Sequence, residues 1–281
     1  MSLLHRILEV AVDDGTLARN PATGVTIRPE AKTDKRIFTR DEAMKMLAAV
    51  AAPDRVRRGP EARRRQPWVM CMVMLWAGLR WGEVLGVRVR DVNLLKRRLS
   101  VVQVVEEVSG KTRVKEYPKT DAGRRTVPMT EALARALEQH VTELGLRPGD
   151  LLFTTTTGGS MTRSSFRSWV WQPALVQAGL ATWTDDRRTT IEAVASADGE
   201  LLPLPTPHSL RHSYISWLAN AGNVPLDTVR RMAGHESILT TQQYLHAVEG
   251  EEEQVLAGLE GAPARPRALR PVEGSQDVTH Q

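Results

Sequence analysis

The sequence predicts a mainly α-helical protein with a small three-stranded antiparallel β-sheet, which is an α+β fold. Apolar residues recur at helical spacing through most of the 281 residues. The stretch from 99 to 129 instead contains β-branched runs separated by turn residues. Hydrophobic residues make up 41% of the chain, which is enough for a core in one large domain or two ordinary ones.

The first helices follow from capping residues and apolar spacing. Residues 2–12 form one short amphipathic helix. Thr39 and Glu42 have the spacing of a capping box and open a second helix. The apolar run 67–79 follows an arginine-rich loop and predicts a buried helix that ends at Arg80.

The strands and the remaining helices follow in order. The three strands are SVVQVVEEV, TRVKEYP and RRTVPM, which predict an antiparallel meander with Lys119 at the turn before the third strand. The polar stretch 182–205 is interpreted as a surface insertion. The later helices are predicted at 131–144, 163–178, 207–221, 225–233, 238–247 and 251–259.

Charge and cysteine usage narrow the class of protein. The net charge is +5, and residues 53–67 and 111–125 each contain six basic residues, which suits a polyanionic partner or simply a solvated face. Cys71 is the one cysteine, so we expect no disulfides and a cytoplasmic location. The apolar run 68–79 is too short to cross a bilayer, so we expect no membrane association.

Several polar side chains have the chemistry needed to attack a phosphodiester. A phenol can act as the nucleophile, while guanidinium, imidazole and ammonium groups stabilise charge and move protons, so no metal or other cofactor is needed. His208 and His212 have the spacing of a zinc pair, but Ser209 stands where that pattern requires Glu. The candidate catalytic residues are Arg80, Lys119, His208, Arg211, His235 and Tyr244.

Four motifs stand out along the chain, AGLRWGEVLGV at 77–87, PKTDAGRRTVPM at 118–129, TPHSLRHSYISWL at 206–218 and MAGHESILTTQQYLH at 232–246. They resemble the tyrosine recombinase (phage integrase) family and occur in that family's order. The resemblance implies the family's catalytic-domain fold, which breaks and rejoins DNA. It also implies that Tyr244 attacks the scissile phosphorus and leaves a 3'-phosphotyrosyl link and a free 5'-hydroxyl.

The residues around the nucleophile have separate expected roles. The phenol has an ordinary pKa near 10 and needs a base, for which an imidazole is suited. His208 and Arg211 lie one turn apart on a helix that Thr206 and Pro207 begin, so both reach the same phosphate.

The resemblance adds roles at the other motif positions. Arg80 and Arg211 would bind the non-bridging oxygens, and His235 would donate to a phosphate oxygen. Lys119 would protonate the leaving oxygen; as an isolated residue, it would be a solvated turn lysine. Glu83 would orient Arg80, unless the two form a surface ion pair.

The resemblance also divides the chain and implies its partners. We expect residues 1–17 to be the last helix of a shortened core-binding domain, 18–35 a linker, 36–260 the catalytic domain and 261–281 a disordered tail. The implied partners are a double-stranded DNA attachment site, three further copies in a tetramer and accessory DNA-bending proteins. Two alternatives stay open, a type IB topoisomerase and a DNA-binding remnant without strand exchange.

Overall fold

The computed structural model describes residues 3–25, 35–53, 60–108, 110–116, 123–195, 199 and 202–245. These residues are mainly helical with small antiparallel sheets, which confirms the predicted fold class. The helices are α1 Leu3–Asp13, α2 Arg40–Ala51, α3 Glu61–Trp76, α4 Trp81–Gly86, α5 Glu131–Leu144, α6 Arg163–Phe166, α7 Gln172–Gln177, α8 Pro207–Ala219, α9 Leu226–Ala233 and α10 Ile238–Gln242. The strands are β1 Val92–Asn93, β2 Arg98–Val101, β3 Gln103–Val108, β4 Lys111–Glu116, β5 Arg125–Pro128, β6 Ala181–Trp183 and β7 Ile191–Ala193.

The buried helix α3 starts and ends earlier than the sequence predicted. It stops at Trp76, and Gly78 then adopts a left-handed φ of +66°. Arg80 therefore does not end α3 but is the N-cap residue of α4. Arg80 therefore lies at the start of a separate short helix next to the sheet.

The predicted three-stranded meander was right in pairing the first β run with the second but wrong in pairing the second with the third. The first β run breaks at Val102 into β2 and β3. β3 pairs antiparallel with β4, as expected, whereas β2 pairs with β1 and β5 in a separate sheet of the described residues. Two small sheets therefore stand where one was expected, since the two halves of one run have different partners.

Glycines let α4 lie directly against the β3 backbone. A Cβ atom on Gly82 would lie 2.6 Å from the carbonyl oxygen of Val105, and one on Gly86 would lie 2.7 Å from that of Gln103. Both glycines occur four residues apart in the motif that also contains Arg80 and Glu83. The close packing fixes α4, and with it the guanidinium of Arg80, relative to the sheet.

The C-terminal half agrees with the predicted helices. α6 and α7 are joined by the π-helical segment Arg167–Trp171, so residues 163–177 are helical throughout. The predicted surface insertion contains the β6–β7 hairpin. The helix predicted at 238–247 was too long, since α10 ends at Gln242 and residues 243 and 244 form a turn. The predicted helix at 251–259 and the tail lie outside the described residues.

Two groups of buried side chains organise the fold. The larger core is built mainly from α2, α3, α5, α7 and the sheet. A smaller cluster joins α8, α9 and the segment after α10, and it contains Tyr214 and Tyr244. Among the described residues, no helix has the length and apolar character needed to cross a membrane.

Candidate active site

A buried carboxylate holds two arginines in place. Glu83 is fully buried on α4 and accepts hydrogen bonds from Nη1 of Arg80 at 2.8 Å and from both terminal nitrogens of Arg125 at 3.0 and 2.7 Å. The main-chain nitrogen of Arg80 also donates to Glu83 at 2.8 Å. Glu83 is therefore not half of a surface ion pair, because it ties the start of α4 to the start of β5.

The charge of Glu83 is maintained by its cationic neighbours. Burial by itself would raise the pKa of this carboxyl, but hydrogen bonds from Arg125 and the charges of Arg125, Arg211 and Arg80 hold the pKa well below its usual value. The carboxylate thus stays ionised at any pH at which the protein would operate. It offsets part of the repulsion between three clustered guanidiniums.

Arg211 lies beneath the site, where it is only 1% exposed. It donates to the carbonyl oxygen of Gly78 and, at 2.6 Å, to that of Ala233. Burial, with the nearby charge of Arg80, lowers the pKa of Arg211 to about 9, so the guanidinium remains protonated at neutral pH. Its contacts join α8 to the turn before α4 and to the end of α9.

Consecutive carbonyls at the end of α9 each accept from a different arginine. Arg125 donates to Met232 at 2.8 Å, and Arg80 donates to Gly234 at 2.9 Å, on either side of the Ala233 carbonyl bound by Arg211. Cations are favourable at a helix C-terminus because the unpaired carbonyls there carry partial negative charge. The arrangement fixes the turn that leads into His235 and α10.

Tyr244 is buried in the site by contacts on several sides. It is 3% exposed, and its hydroxyl lies 2.6 Å from Nδ1 of His212. Asn220 donates to the Tyr244 carbonyl at 2.8 Å, and Nζ of Lys35 lies 4.2 Å from the centre of the ring. α8 therefore holds both the main chain and the side chain of the predicted nucleophile.

The phenol is close enough to the arginines to respond to their charge. Burial raises the pKa of Tyr244, while Arg211 and Arg80 act in the opposite direction. The hydroxyl is therefore protonated at neutral pH, so the attack expected of it would require a proton acceptor.

The histidines around Tyr244 are neutral at neutral pH. Burial, the adjacent His212 and the charges of Arg211 and Arg80 lower the pKa of His208 to about 3. Burial and the surrounding cations, chiefly Arg211, lower the pKa of His235 to about 4. His235 stacks near Tyr244 with ring centres 6.2 Å apart, and its Nδ1 lies 3.0 Å from the hydroxyl of Thr241.

Most of the predicted site residues meet in this one place. Arg80, Glu83, Arg211, His208, His235 and Tyr244 belong to a single cluster. Lys119 lies outside the described residues. Sequence reasoning missed Arg125, His212 and Lys35. His212 stands out in the sequence only as half of a possible metal pair, and Arg125 is one of two adjacent arginines that the motif alone does not distinguish.

Comparison with known proteins identifies the family. The profile of the phage integrase family matches residues 36–251, which is more than half of the chain. The chain belongs to the phage integrase family. All four motifs that carry the resemblance lie within this match.

Individual relatives in the family are tyrosine recombinases. The chain is 27% identical over 273 residues to a XerC-like tyrosine recombinase of Caldanaerobacter subterraneus, covering 88% of this chain and 61% of that protein. It is 29% identical over 251 residues to the tyrosine recombinase XerD of Pseudomonas aeruginosa, covering 88% and 69%. The chain thus spans about two thirds of the length of these relatives.

Solved structures show the same fold. The Tn1549 transposon integrase, in complex with a circular intermediate DNA, superposes with a TM-score of 0.67 at 20% identity, covering 91% of this chain and 76% of that one. The XerH recombinase bound to its difH substrate gives a TM-score of 0.53 at 18% identity, covering 83% and 55%. At sequence identities this low, these structures show only that this member of the phage integrase family shares their fold.

Proposed function

We propose that this protein is a site-specific DNA recombinase that cuts and rejoins strands through a 3'-phosphotyrosyl link at Tyr244. The observation that carries the proposal is the burial of this phenol within a cluster of two arginines and three neutral histidines. A phenol needs a cationic environment when it attacks a phosphodiester, because negative charge develops on the equatorial oxygens. Membership of the phage integrase family supports the same chemistry.

The arginines have complementary positions for binding the phosphate. The side chain of Arg80 is 37% exposed and accessible to a phosphate oxygen, while the buried Arg211 adds its charge from below. Glu83, which is itself paired with Arg125, keeps Arg80 oriented. Forked guanidinium donors match the non-bridging oxygens better than an ammonium does.

The remaining roles follow from the same proposal. His235 donates to a phosphate oxygen beside Tyr244, and Lys119 protonates the departing 5'-oxygen. We assign the catalytic domain to residues 36–260 and residues 18–35 to a linker. The substrate is a double-stranded attachment site of a phage or other mobile element, bound in the cytoplasm by a tetramer with accessory DNA-bending proteins.

A covalent capture experiment tests the nucleophile even though the sequence of the attachment site is not specified. The probe is a library of duplexes with a randomised centre and a nick that lets the cleaved fragment diffuse away, which traps the adduct. We expect the wild-type protein to form adducts with a subset of sequences and Tyr244→Phe to form none while still binding duplex DNA. Adducts that persist in Tyr244→Phe would overturn the assignment.

The captured sequences then separate recombination from the competing activities. Two duplexes that carry the selected sequence are mixed, one of them labelled, and recombinant products are scored. Strand exchange supports the recombinase. Relaxation of one supercoiled plasmid without exchange would indicate a type IB topoisomerase instead, and binding without any adduct would indicate a DNA-binding remnant.

A further inference from the structure

The hydrogen bond of the Tyr244 hydroxyl identifies a candidate acceptor for its proton. Among the described residues, the side chain hydrogen-bonded to this hydroxyl is His212, one helical turn beyond His208. The centres of the His212 and Tyr244 rings lie 5.6 Å apart, with an angle of 34° between the ring planes. Because Tyr244 is 3% exposed, bulk water has little access to replace this partner.

We propose that His212 is the catalytic base that accepts the phenolic proton of Tyr244, an inference that rests on the proposed function. As the phenol oxygen bonds to the scissile phosphorus, its proton moves to Nδ1 of His212 and the bond from phosphorus to the 5'-oxygen breaks. The departing oxygen takes its proton from Lys119. During rejoining, the 5'-hydroxyl attacks phosphorus and returns its proton to Lys119. The bond from phosphorus to the Tyr244 oxygen breaks, and that oxygen recovers its proton from His212.

The groups around His212 keep its imidazole in the form that can accept a proton. His208 and Arg211 face it from α8, Lys35 faces it from the segment before α2, and Tyr244 faces it from the segment after α10. Burial, followed by the charges of Lys35 and Arg211, lowers the pKa of His212 to about 4. A neutral ring that carries its hydrogen on Nε2 presents Nδ1 as the acceptor.

The neighbouring His208 packs against His212 on the same helix. The two rings pack edge to face, perpendicular to each other, with centres 4.6 Å apart. The C-cap residue of that helix, Asn220, donates to the main chain of Tyr244, so α8 and its cap contact both the phenol and the main chain of this residue. Such positioning within hydrogen-bonding reach is the first requirement for a general base.

The first test uses the DNA-free protein and needs no substrate. Nitrogen-15 NMR of the histidine side chains distinguishes a ring nitrogen that carries hydrogen from one that does not, and the His212 signals are assigned by their loss in His212→Asn. We expect His212 at about neutral pH to have an unprotonated Nδ1 and a protonated Nε2. The opposite tautomer would overturn the proposal, whether or not the protein proves to cleave DNA.

The second test measures single-turnover cleavage of a duplex selected by covalent capture. One version of the duplex replaces the bridging 5'-oxygen with sulfur, which departs without being protonated and so isolates proton removal from Tyr244. We expect His212→Asn to slow cleavage by about 100-fold on both versions, a typical loss for a general base. Lys119→Ala should instead be rescued by the sulfur substrate.

The pH profile separates a base from a structural residue. Wild-type cleavage of the sulfur substrate should change little between about pH 7 and pH 9, whereas the His212→Asn rate should rise about tenfold per unit because the phenol must ionise unaided. His5→Asn on α1 serves as the matched control and should keep the wild-type profile. A folded His212→Asn protein with wild-type rate and profile would overturn the proposal.

Discussion

At the scale of single residues, the ionised Glu83 determines whether the cationic groups of the site can coexist. Arg125, Arg211 and Arg80 all lower the pKa of the Glu83 carboxyl. Arg125, whose side chain is only 6% exposed, donates a hydrogen bond to each carboxylate oxygen of Glu83. Buried ion pairs add little net stability when intact, but removing one partner leaves charges buried without compensation. Glu83 therefore positions Arg80 and Arg125 within the cluster.

Replacing Glu83 by Gln tests this role. The amide keeps the shape but loses the charge, so the free energy of unfolding should fall by about 3 kcal/mol. Denaturant unfolding measures it. The matched control is Glu106→Gln, which also loses a carboxylate paired with two cations, Arg113 and Lys115, but in an exposed hairpin. The control should lose much less stability than Glu83→Gln, because its ion pairs are exposed to solvent. Equal losses in the two variants would show that the buried charge of Glu83 is not what stabilises the arginine cluster.

At the scale of structural elements, local signals were predictable from sequence whereas long-range pairings were not. The capping box of Thr39 and Glu42 and the end of α9 at residue 233 depend on neighbouring residues, and both were predicted from the sequence. The division of one β run between two sheets depends on which distant strand each half meets. The hydrogen bond between Tyr244 and His212 joins residues that are 32 positions apart in the sequence, so no local sequence pattern indicates it.

Gly78 shows how an inter-element turn is constrained. Its φ of +66° suits glycine, and a Cβ atom there would lie 2.2 Å from Cδ1 of Tyr214. Alanine disfavours this left-handed φ, and its Cβ atom would displace the Tyr214 ring. Gly78→Ala should therefore lower the free energy of unfolding, measured in denaturant, by about 2–4 kcal/mol. Gly145→Ala isolates the backbone effect, since Gly145 has φ +61° but no atom near a Cβ. If Gly78→Ala and Gly145→Ala lost similar amounts of unfolding free energy, the steric clash with Tyr214 would not explain the effect at Gly78.

At the scale of the whole molecule, the active site makes stability depend on pH. The folded-state pKa is about 3 for His208 and about 4 for His212 and His235, against an ordinary value of 6.5. Below pH 6.5, the unfolded chain therefore binds protons that the folded protein excludes. The stability contributed by neutral imidazoles is complete above this pH and decreases as the pH falls toward 4.

Urea unfolding at about pH 7.5 and about pH 5 measures this dependence. We expect the free energy of unfolding to fall by on the order of 1 kcal/mol for each of the three imidazoles. His208→Gln should reduce the difference between the two pH values, because glutamine does not titrate. A variant with an unchanged difference would show that His208 is not kept neutral by the folded protein.

The central claim is that Tyr244 itself becomes bonded to DNA. The most direct measurement is mass spectrometry of the trapped adduct after digestion with nuclease and trypsin. Tyr244 is the one tyrosine in the tryptic fragment that spans residues 232–267, so the fragment identifies it. We expect a nucleotide joined through its 3'-phosphate to this fragment. A nucleotide attached to any other fragment would contradict it.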